Sequence, residues 1–174
     1  MPTRGTTMTT SETTPPELRG PQGQTRRLTE LPKTFALAPE ILIRTDDVPW
    51  TDFGGGISYK VLRLSPESGA WTILLRGLAG SIFPSHVHEG AAEFFILSGR
   101  ADYRAGSARD NDYGYEPIGV YHETTTFVED TVLFYVGHGP LAMVDPQTGD
   151  LVDVVGWQTF ANDLDPSHNI ARGD

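Results

Sequence analysis

Residues 80–88 read GSIFPSHVH, and this stretch carries the strongest structural signal in the chain. His86 and His88 stand two positions apart, and side chains at positions i and i+2 of a β-strand point to the same face. Two imidazoles on one face lie close enough to share a metal ion. The pair alone does not establish a site, because packing and chance also produce His-x-His sequences.

A third histidine follows a turn signal further along the chain. Residues 117–122 read PIGVYH, in which the proline and the glycine indicate a tight turn and His122 begins the next strand. Such a turn aims His122 back toward the interior of a barrel. The sequence therefore predicts one metal ion on His86, His88 and His122, and this imidazole set suits Fe, Zn, Cu, Ni or Mn.

Short apolar strands and turns surround these two segments. Residues 57–64 alternate between apolar and polar side chains, and residues 71–76 form another apolar run. No segment between 35 and 145 has a convincing 3.6-residue period, which predicts an all-β sandwich or barrel built from hairpins. The apolar residues 41–43 predict a first strand, and 152–164 predict a last strand followed by a short helix.

Composition restricts the possible functions. The chain has no cysteine, which excludes disulfides and thiolate metal ligands, and its formal net charge of −10 makes nucleic-acid partners unexpected. No apolar run approaches the roughly 20 residues that cross a membrane. The first residues lack the apolar core of a secretory signal, so we expect a cytoplasmic location.

The composition also changes along the chain. Residues 1–30 are rich in Thr, Pro, Gly, Arg and Glu and show no apolar period, which predicts a flexible, disordered N-terminal arm. We expect a single barrel domain over residues 31–165 and a loose tail over residues 166–174.

The histidine segments together resemble the two motifs of the cupin superfamily. Residues 80–88 match the first motif, a glycine and five residues followed by His-x-His, and FFILSG at 94–99 matches its end. Residues 117–122 match the core of the second motif. The resemblance implies a cupin barrel, that is, a double-stranded β-helix or jelly roll, with a divalent metal held inside it.

The chain departs from these motifs at several positions. The first motif usually has a metal-binding glutamate where this chain has Ala92, and Asn111 and Thr126 replace a glycine and an asparagine of the second motif. The missing glutamate implies a site of three histidines. Glu93 should face the other way unless a bulge turns it inward, and Glu89 is another possible oxygen donor.

The sequence looks similar to one branch of three-histidine cupins, the 2,4′-dihydroxyacetophenone dioxygenases. The similar segments are PW at 49–50, VLRL at 61–64, ESGAWTILLR at 67–76, HVHEG at 86–90 and DYGYEP at 112–117. The resemblance implies an Fe(II) enzyme that uses O2 to cleave a C–C bond of a small aromatic or aliphatic hydroxyketone or diketone. With 2,4′-dihydroxyacetophenone, the products would be 4-hydroxybenzoate and formate.

Five further residues are candidates for the site, each with a structural alternative. Glu116 could fix a ligand imidazole by a hydrogen bond or could be a solvated loop acid. Arg76 could anchor an anionic substrate or lie on the surface, and Tyr121 could contact substrate or face outward. Trp71 and Phe94 fit either a substrate pocket or the core.

Two other functions fit the same barrel. A metal-binding sensor would need no catalytic residue, whereas an isomerase or hydrolase would need a proton-transfer base such as Glu89, Glu93 or Glu116. We also expect a homodimer, formed through sheet edges near residues 40–44 or 152–160.

Overall fold

In the computed structural model, residues 41–164 are described, together with the backbone of two short strands that precede them. These strands, β1 (Glu17–Arg19) and β2 (Thr25–Arg27), pair antiparallel with each other. Apart from these segments, the predicted arm at 1–30 lies outside the described residues, as does the predicted tail at 166–174. Both assignments stay predictions.

Short strands make up most of residues 41–164, which confirms the predicted all-β class. The elements are β3 (Thr51–Gly54), β4 (Ile57–Ser65), β5 (Ala70–Gly77), β6 (Ile82–Phe83), β7 (His86–His88), β8 (Ala92–Ser98), β9 (Arg100–Tyr103), β10 (Gly106–Arg109), β11 (Tyr113–Glu116), β12 (Tyr121–His122), β13 (Thr125–Phe127), β14 (Thr131–Gly137), β15 (Leu141–Val144), β16 (Leu151–Val155) and a 3₁₀ helix (Trp157–Phe160).

The strands form one large sheet and two smaller ones. The six-stranded sheet has the order β11-β8-β14-β5-β4-β3, and the four-stranded sheets have the orders β10-β9-β13-β6 and β12-β7-β15-β16. All neighbouring strands run antiparallel. Strands that are distant in sequence thus become neighbours, as in a jelly roll.

The core lies between the large sheet and both small sheets. One buried cluster joins Trp71 and Ile73 of the large sheet to Leu141 and Met143 of β15. A second cluster joins other side chains of the large sheet to Phe127 of β13 and two alanines of β9 and β10. The barrel is therefore closed around a shared apolar interior, which is the main source of its stability.

The predicted first strand at residues 41–43 is wrong. Residues 41–44 form no strand, and Leu42 is 94% exposed. The sheet edge beside β4 is instead taken by β3, so the earlier segment has no strand to pair with. The next residue along the chain contacts β4, because the Lys60 Nζ donates a hydrogen bond of 2.6 Å to the Thr45 carbonyl oxygen.

The end of the barrel follows the pattern expected for residues 152–164. The last strand, β16, pairs with β15, and the 3₁₀ helix follows it directly. Phe160 of this helix is buried and packs against Tyr59 and Trp71. Among residues 41–164, no helix is long and apolar enough to cross a membrane.

Candidate metal centre

Two short paired strands position the three histidines. β7 carries His86 and His88, and β12 places His122 directly opposite His86 in the antiparallel register. The two histidines of β7 share a face because they are two positions apart, and that face points inward. His86, His88 and His122 are consequently all buried, with exposed fractions of 4%, 0% and 3%.

The turn before β12 is tied to β7 by backbone hydrogen bonds. Gly119 adopts a φ of +82°, a conformation that side-chain-bearing residues rarely take. Its amide donates to the His88 carbonyl oxygen at 2.7 Å, and the His88 amide donates to the Val120 carbonyl oxygen at 3.0 Å. This turn therefore fixes where β12 begins and brings His122 next to the other two histidines.

The three imidazoles converge on a common point. The Nε2 atoms of His86 and His88 are 3.2 Å apart. The His122 ring lies 5.0 Å from the His86 ring and 4.9 Å from the His88 ring, measured between centroids. One nitrogen from each residue lies within 4.8 Å of the others. A single ion between them could bond to all three residues.

The histidines are held in the neutral form that binds metals. Burial lowers the pKa of His88 to about 4, with repulsion from His86 and His122 adding to the effect. Burial likewise lowers the pKa of His122 to about 4 and lowers that of His86. The Nδ1 of His86 lies 2.8 Å from the Pro84 carbonyl oxygen. Because a carbonyl only accepts, Nδ1 carries the proton and Nε2 keeps its lone pair.

Glu116 lies against the same cluster from the neighbouring sheet. It occupies the end of β11, and its carboxylate oxygens are each 3.5 Å from a ring nitrogen, Oε2 from His88 Nε2 and Oε1 from His122 Nε2. Burial raises its pKa to about 7. Glu116 pairs directly with Ala92, the position where the cupin motif usually has its glutamate. A carboxylate therefore lies beside the histidines, but it belongs to β11 and not to β8, the strand that carries the motif position.

These residues fit a divalent metal ion. Both ring nitrogens of His122 are buried and make no hydrogen bond to any described residue. Folded proteins rarely leave such nitrogens without a partner, and a metal ion would satisfy one of the two. Neutral imidazoles with a nearby carboxylate suit Fe, Zn, Ni, Mn or Cu. The donor set supports a divalent ion without selecting one metal.

An apolar cavity of about 70 Å³ adjoins this cluster inside the barrel. His86 and Glu116 line it, together with aromatic and aliphatic side chains from all three sheets. The Phe83 ring lies edge-on to His86, and the Tyr103 ring is parallel to that of His122, with centroids 6.3 Å apart. The cavity has room for several water-sized groups, which limits a ligand to a small molecule.

The structure places Glu89 and Glu93 away from the histidine cluster. Glu89 is exposed. Glu93 lies on the outer face of β8, where it accepts a hydrogen bond of 2.8 Å from the Tyr113 hydroxyl and lies 3.1 Å from His138 Nε2. No bulge turns it inward, because it pairs in register with Tyr115. The structure therefore brings neither Glu89 nor Glu93 to the histidines, whereas Glu116 lies beside them.

Two predicted substrate-binding residues also lie outside the cavity. Arg76 is on the outer face of β5, where its guanidinium packs over the Trp50 ring at 4.4 Å and its Nε donates to the Ser58 hydroxyl. Strand alternation explains this placement, since Ile73 and Leu75 take the inward positions. Tyr121 is 36% exposed and faces opposite to His122. The structure therefore places neither Arg76 nor Tyr121 in this cavity.

Trp71 and Phe94 both line the cavity, as do several residues that sequence reasoning did not single out. Tyr59 is one of these, and the alternation of Ile57, Tyr59 and Val61 could have identified it. Phe160 could not have been found in this way, because it reaches the cavity from the opposite end of the chain. Other lining residues include Phe53, Phe83, Thr125 and Leu133.

Known proteins share this fold and much of this sequence. The model of the ChrR cupin-like domain family matches residues 38–142, a range that includes all three histidines. The acetylacetone-cleaving enzyme of Acinetobacter johnsonii is 34% identical over 109 residues, which are 59% of this chain and 71% of that protein.

Two solved structures extend the comparison. The acetylacetone dioxygenase of Acinetobacter johnsonii aligns with a TM-score of 0.66 and 30% identity, covering 72% of this chain and 91% of that one. A Methylibium petroleiphilum PM1 protein, provisionally named an acetylacetone dioxygenase, aligns with a TM-score of 0.68 and 34% identity, covering 72% and 94%. Together with its jelly-roll fold and its histidine cluster, these matches show that the chain belongs to the cupin superfamily, in the family of the ChrR cupin-like domain.

Proposed function

We propose that this protein is a metal-dependent dioxygenase that cleaves a C–C bond of a small diketone or hydroxyketone with O2. The observation that supports it most is the set of three buried, neutral imidazoles, one of which, His86, lines a small apolar cavity. Neutral ligands leave the ion its full positive charge, which favours an anionic, chelating substrate. Relatives named for acetylacetone cleavage support the reaction class.

His86, His88 and His122 would hold the ion, and Fe(II) is the metal that we propose. When bound, Fe(II) would supply Lewis acidity and electrons for O2 reduction. The apolar walls keep bulk water away from the reacting atoms, which strengthens electrostatic interactions within the cavity. The protein's own contribution would thus be to fix three ligands and to exclude water.

Glu116 is the group best placed to move a proton. Its carboxylate oxygens lie 3.5 Å from ring nitrogens of His88 and His122, and the side chain lines the cavity that the substrate would enter. A β-diketone or an α-hydroxyketone binds as a chelating anion only after losing a proton. We propose that a Glu116 carboxylate oxygen accepts this proton while the substrate takes its place between the histidines and the apolar wall.

Two substrates represent the proposed class. Acetylacetone is a small diketone, and 2,4′-dihydroxyacetophenone is an aromatic hydroxyketone. In the second case the bond between the carbonyl and hydroxymethyl carbons breaks and each of these carbons gains one oxygen atom. One ketone and one O2 thus give 4-hydroxybenzoic acid and formic acid, which together contain every atom of the reactants. The aromatic lining, including Trp71 and Phe94, supports ketones with an apolar body.

We further propose that the protein is a homodimer located in the cytoplasm. β16 is the last strand of its sheet, and three of its apolar side chains are exposed, with 63% for Leu151, 69% for Val152 and 46% for Val154. Apolar side chains on a strand at a sheet edge favour pairing with another chain. A second copy could bury this edge through a two-fold symmetric contact.

The proposed reaction is tested by oxygen uptake after metal reconstitution. Metal-free protein would be loaded without oxygen with Fe(II), Zn(II), Mn(II), Ni(II) or Cu(II) and offered acetylacetone or 2,4′-dihydroxyacetophenone. We expect ketone-dependent oxygen uptake with Fe(II), its loss in His122→Ala, and its retention in His138→Ala, which changes a histidine on the outer face.

The same experiment separates the alternatives. Tight metal binding without oxygen uptake from either ketone would contradict the dioxygenase and favour a sensor. Conversion of a ketone without oxygen uptake would instead favour an isomerase or hydrolase that uses Glu116 as its base.

A further inference from the structure

One aromatic hydroxyl in the cavity wall has no hydrogen-bond partner. The Tyr135 hydroxyl is buried and makes no hydrogen bond to any residue in the described part of the chain. Two other aromatic residues of the large sheet, Tyr59 and Trp71, do have partners for their polar groups. The Tyr59 hydroxyl donates to Asp163 Oδ2 at 2.6 Å, and the Trp71 indole donates to the Gly139 carbonyl oxygen at 3.0 Å.

The registers of the large sheet place Tyr135 on the same inner face as Glu116. Tyr135 of β14 pairs with Phe94 of β8, and Glu116 of β11 pairs with Ala92, two positions away along β8. Both side chains line the cavity, and the Tyr135 ring packs against the Trp71 ring with centroids 5.0 Å apart. Across the strands, Tyr135 and Phe94 therefore form one row of the sheet, and Glu116 and Ala92 form the next row on the same face.

A phenylalanine at this position would make the same ring contacts without a buried polar atom. A buried hydroxyl with no partner lowers stability, so its partner must come from outside the described side chains. Burial and the charge of Glu116 raise the pKa of Tyr135 well above its ordinary value, which keeps the phenol protonated. Tyr135 is thus available as a hydrogen-bond donor at any physiological pH.

We infer that the Tyr135 hydroxyl donates a hydrogen bond to an oxygen atom of the ketone bound in the barrel cavity. This inference rests on the proposed function, because it assigns Tyr135 as a substrate-binding residue of that site. The hydroxyl has almost no accessible surface in the ligand-free protein, so a neighbouring side chain must shift when the ketone enters.

The first test measures stability without metal or ketone. Tyr135→Phe removes a hydroxyl with no partner, so we expect its Tm to equal or exceed that of the wild type. Tyr59→Phe is the matched comparison, because it removes a hydroxyl that is bonded to Asp163 and should lower the Tm. If Tyr135→Phe lowers the Tm as much as Tyr59→Phe does, the hydroxyl has an internal partner and the inference is wrong.

The second test measures ketone binding without turnover. Zn-loaded protein would be titrated calorimetrically with acetylacetone and with 2,4′-dihydroxyacetophenone. We expect Tyr135→Phe to raise the Kd of at least one of them by about three- to tenfold, the effect of one lost hydrogen bond. Tyr113→Phe, which changes a tyrosine that is 61% exposed on the outer face, should leave both Kd values unchanged.

The outcomes separate this inference from the proposed reaction. Unchanged Kd values in Tyr135→Phe overturn the inference even if the Fe(II) protein consumes oxygen. Raised Kd values support it even if no oxygen is consumed, in which case only the dioxygenase reaction is contradicted. Failure of the wild type to bind either ketone overturns both the inference and the substrate class.

Discussion

At the scale of single residues, local spacing in the sequence predicts part of the candidate site but not all of it. The structure brings together the three histidines that spacing singled out, since His-x-His on a strand and a Pro-Gly turn are local features. Whether they hold a metal stays a prediction. The position of Glu116 could not be derived locally, because it depends on the register between β11 and β8. The same register places Glu93, adjacent to the position of the motif's glutamate, on the outer face of β8.

The histidine assignment predicts a large loss of metal affinity in a single variant. His122→Ala removes one of three converging imidazoles, so we expect affinity for Fe(II) or Zn(II) to fall at least about a hundredfold. Competition with a coloured chelator measures this loss. His138→Ala is the control, because His138 is 47% exposed and contacts Glu93 on the outer face. Equal affinities of both variants would contradict the assignment.

The raised pKa of Glu116 leads us to predict that metal-free wild type and Glu116→Gln differ in stability by an amount that depends on pH. Its pKa is raised from 4.5 to about 7 by burial, so between these values the folded protein holds this proton more tightly than the unfolded chain. The contribution of Glu116 to the free energy of unfolding is therefore full below pH 4.5 and lost as pH rises through 7. Glutamine does not titrate, so Glu116→Gln should gain stability relative to the wild type over this range.

Urea unfolding of both proteins at about pH 5 and about pH 8, on either side of the raised pKa, measures the effect. A stability difference that is the same at both pH values would show that Glu116 does not titrate abnormally in the folded protein.

At the level of elements, alternation and turn residues predicted the strands around the site well. β4 and β5 extend by only a residue or so beyond the predicted segments 57–64 and 71–76. The prediction of a strand at 41–43 was wrong because an apolar run does not reveal whether a sheet edge is free to pair with it. The outward direction of Arg76 follows from alternation along β5, but the sequence alone does not tell which face of that strand is inside.

The close contact between β14 and β5 leads to a prediction about stability. A Cβ at Gly137 would lie 2.4 Å from Trp71 Cε2, inside the buried indole ring. We therefore expect Gly137→Ala to destabilise the protein by about 1–3 kcal/mol, as overpacking does in a closed core. Gly156→Ala is the control, because its Cβ would meet the flexible end of Gln158 at 3.2 Å and Pro140 at an ordinary contact distance of 3.4 Å. Chemical denaturation compares the two variants, and equal losses would contradict the predicted packing.

At the scale of the whole molecule, the sequence predicted the all-β class and the cupin barrel, which the fold and its relatives confirm. The all-β class followed from the pattern of short strands and turns, and the cupin barrel was implied by the resemblance to the two cupin motifs. The shape of the cavity could not be predicted from the sequence, because residues as far apart in the chain as Tyr59 and Phe160 meet there. The oligomeric state and the segments at 1–30 and 166–174 also stay predictions.

The proposed homodimer can be tested at the exposed edge. Val152→Lys places a charge on β16, where Val152 is 69% exposed, and should shift the protein from dimer to monomer by disfavouring strand pairing. Light scattering coupled to size exclusion gives the mass. Leu97→Lys, at a position that is 50% exposed on β8, should leave the dimer intact. A wild-type protein that is monomeric at micromolar concentration would contradict the proposal.

The central claim is that the protein inserts O2 into a ketone, and isotope labelling tests it most directly. Fe(II)-loaded protein would convert 2,4′-dihydroxyacetophenone or acetylacetone under ¹⁸O2 in ordinary water, with both products analysed by mass spectrometry. We predict one ¹⁸O atom in each of the two products at the moment of cleavage, found at short reaction times. Cleavage products that carry no ¹⁸O, and that become labelled only in ¹⁸O-enriched water, would identify a hydrolase and contradict the proposed dioxygenase reaction.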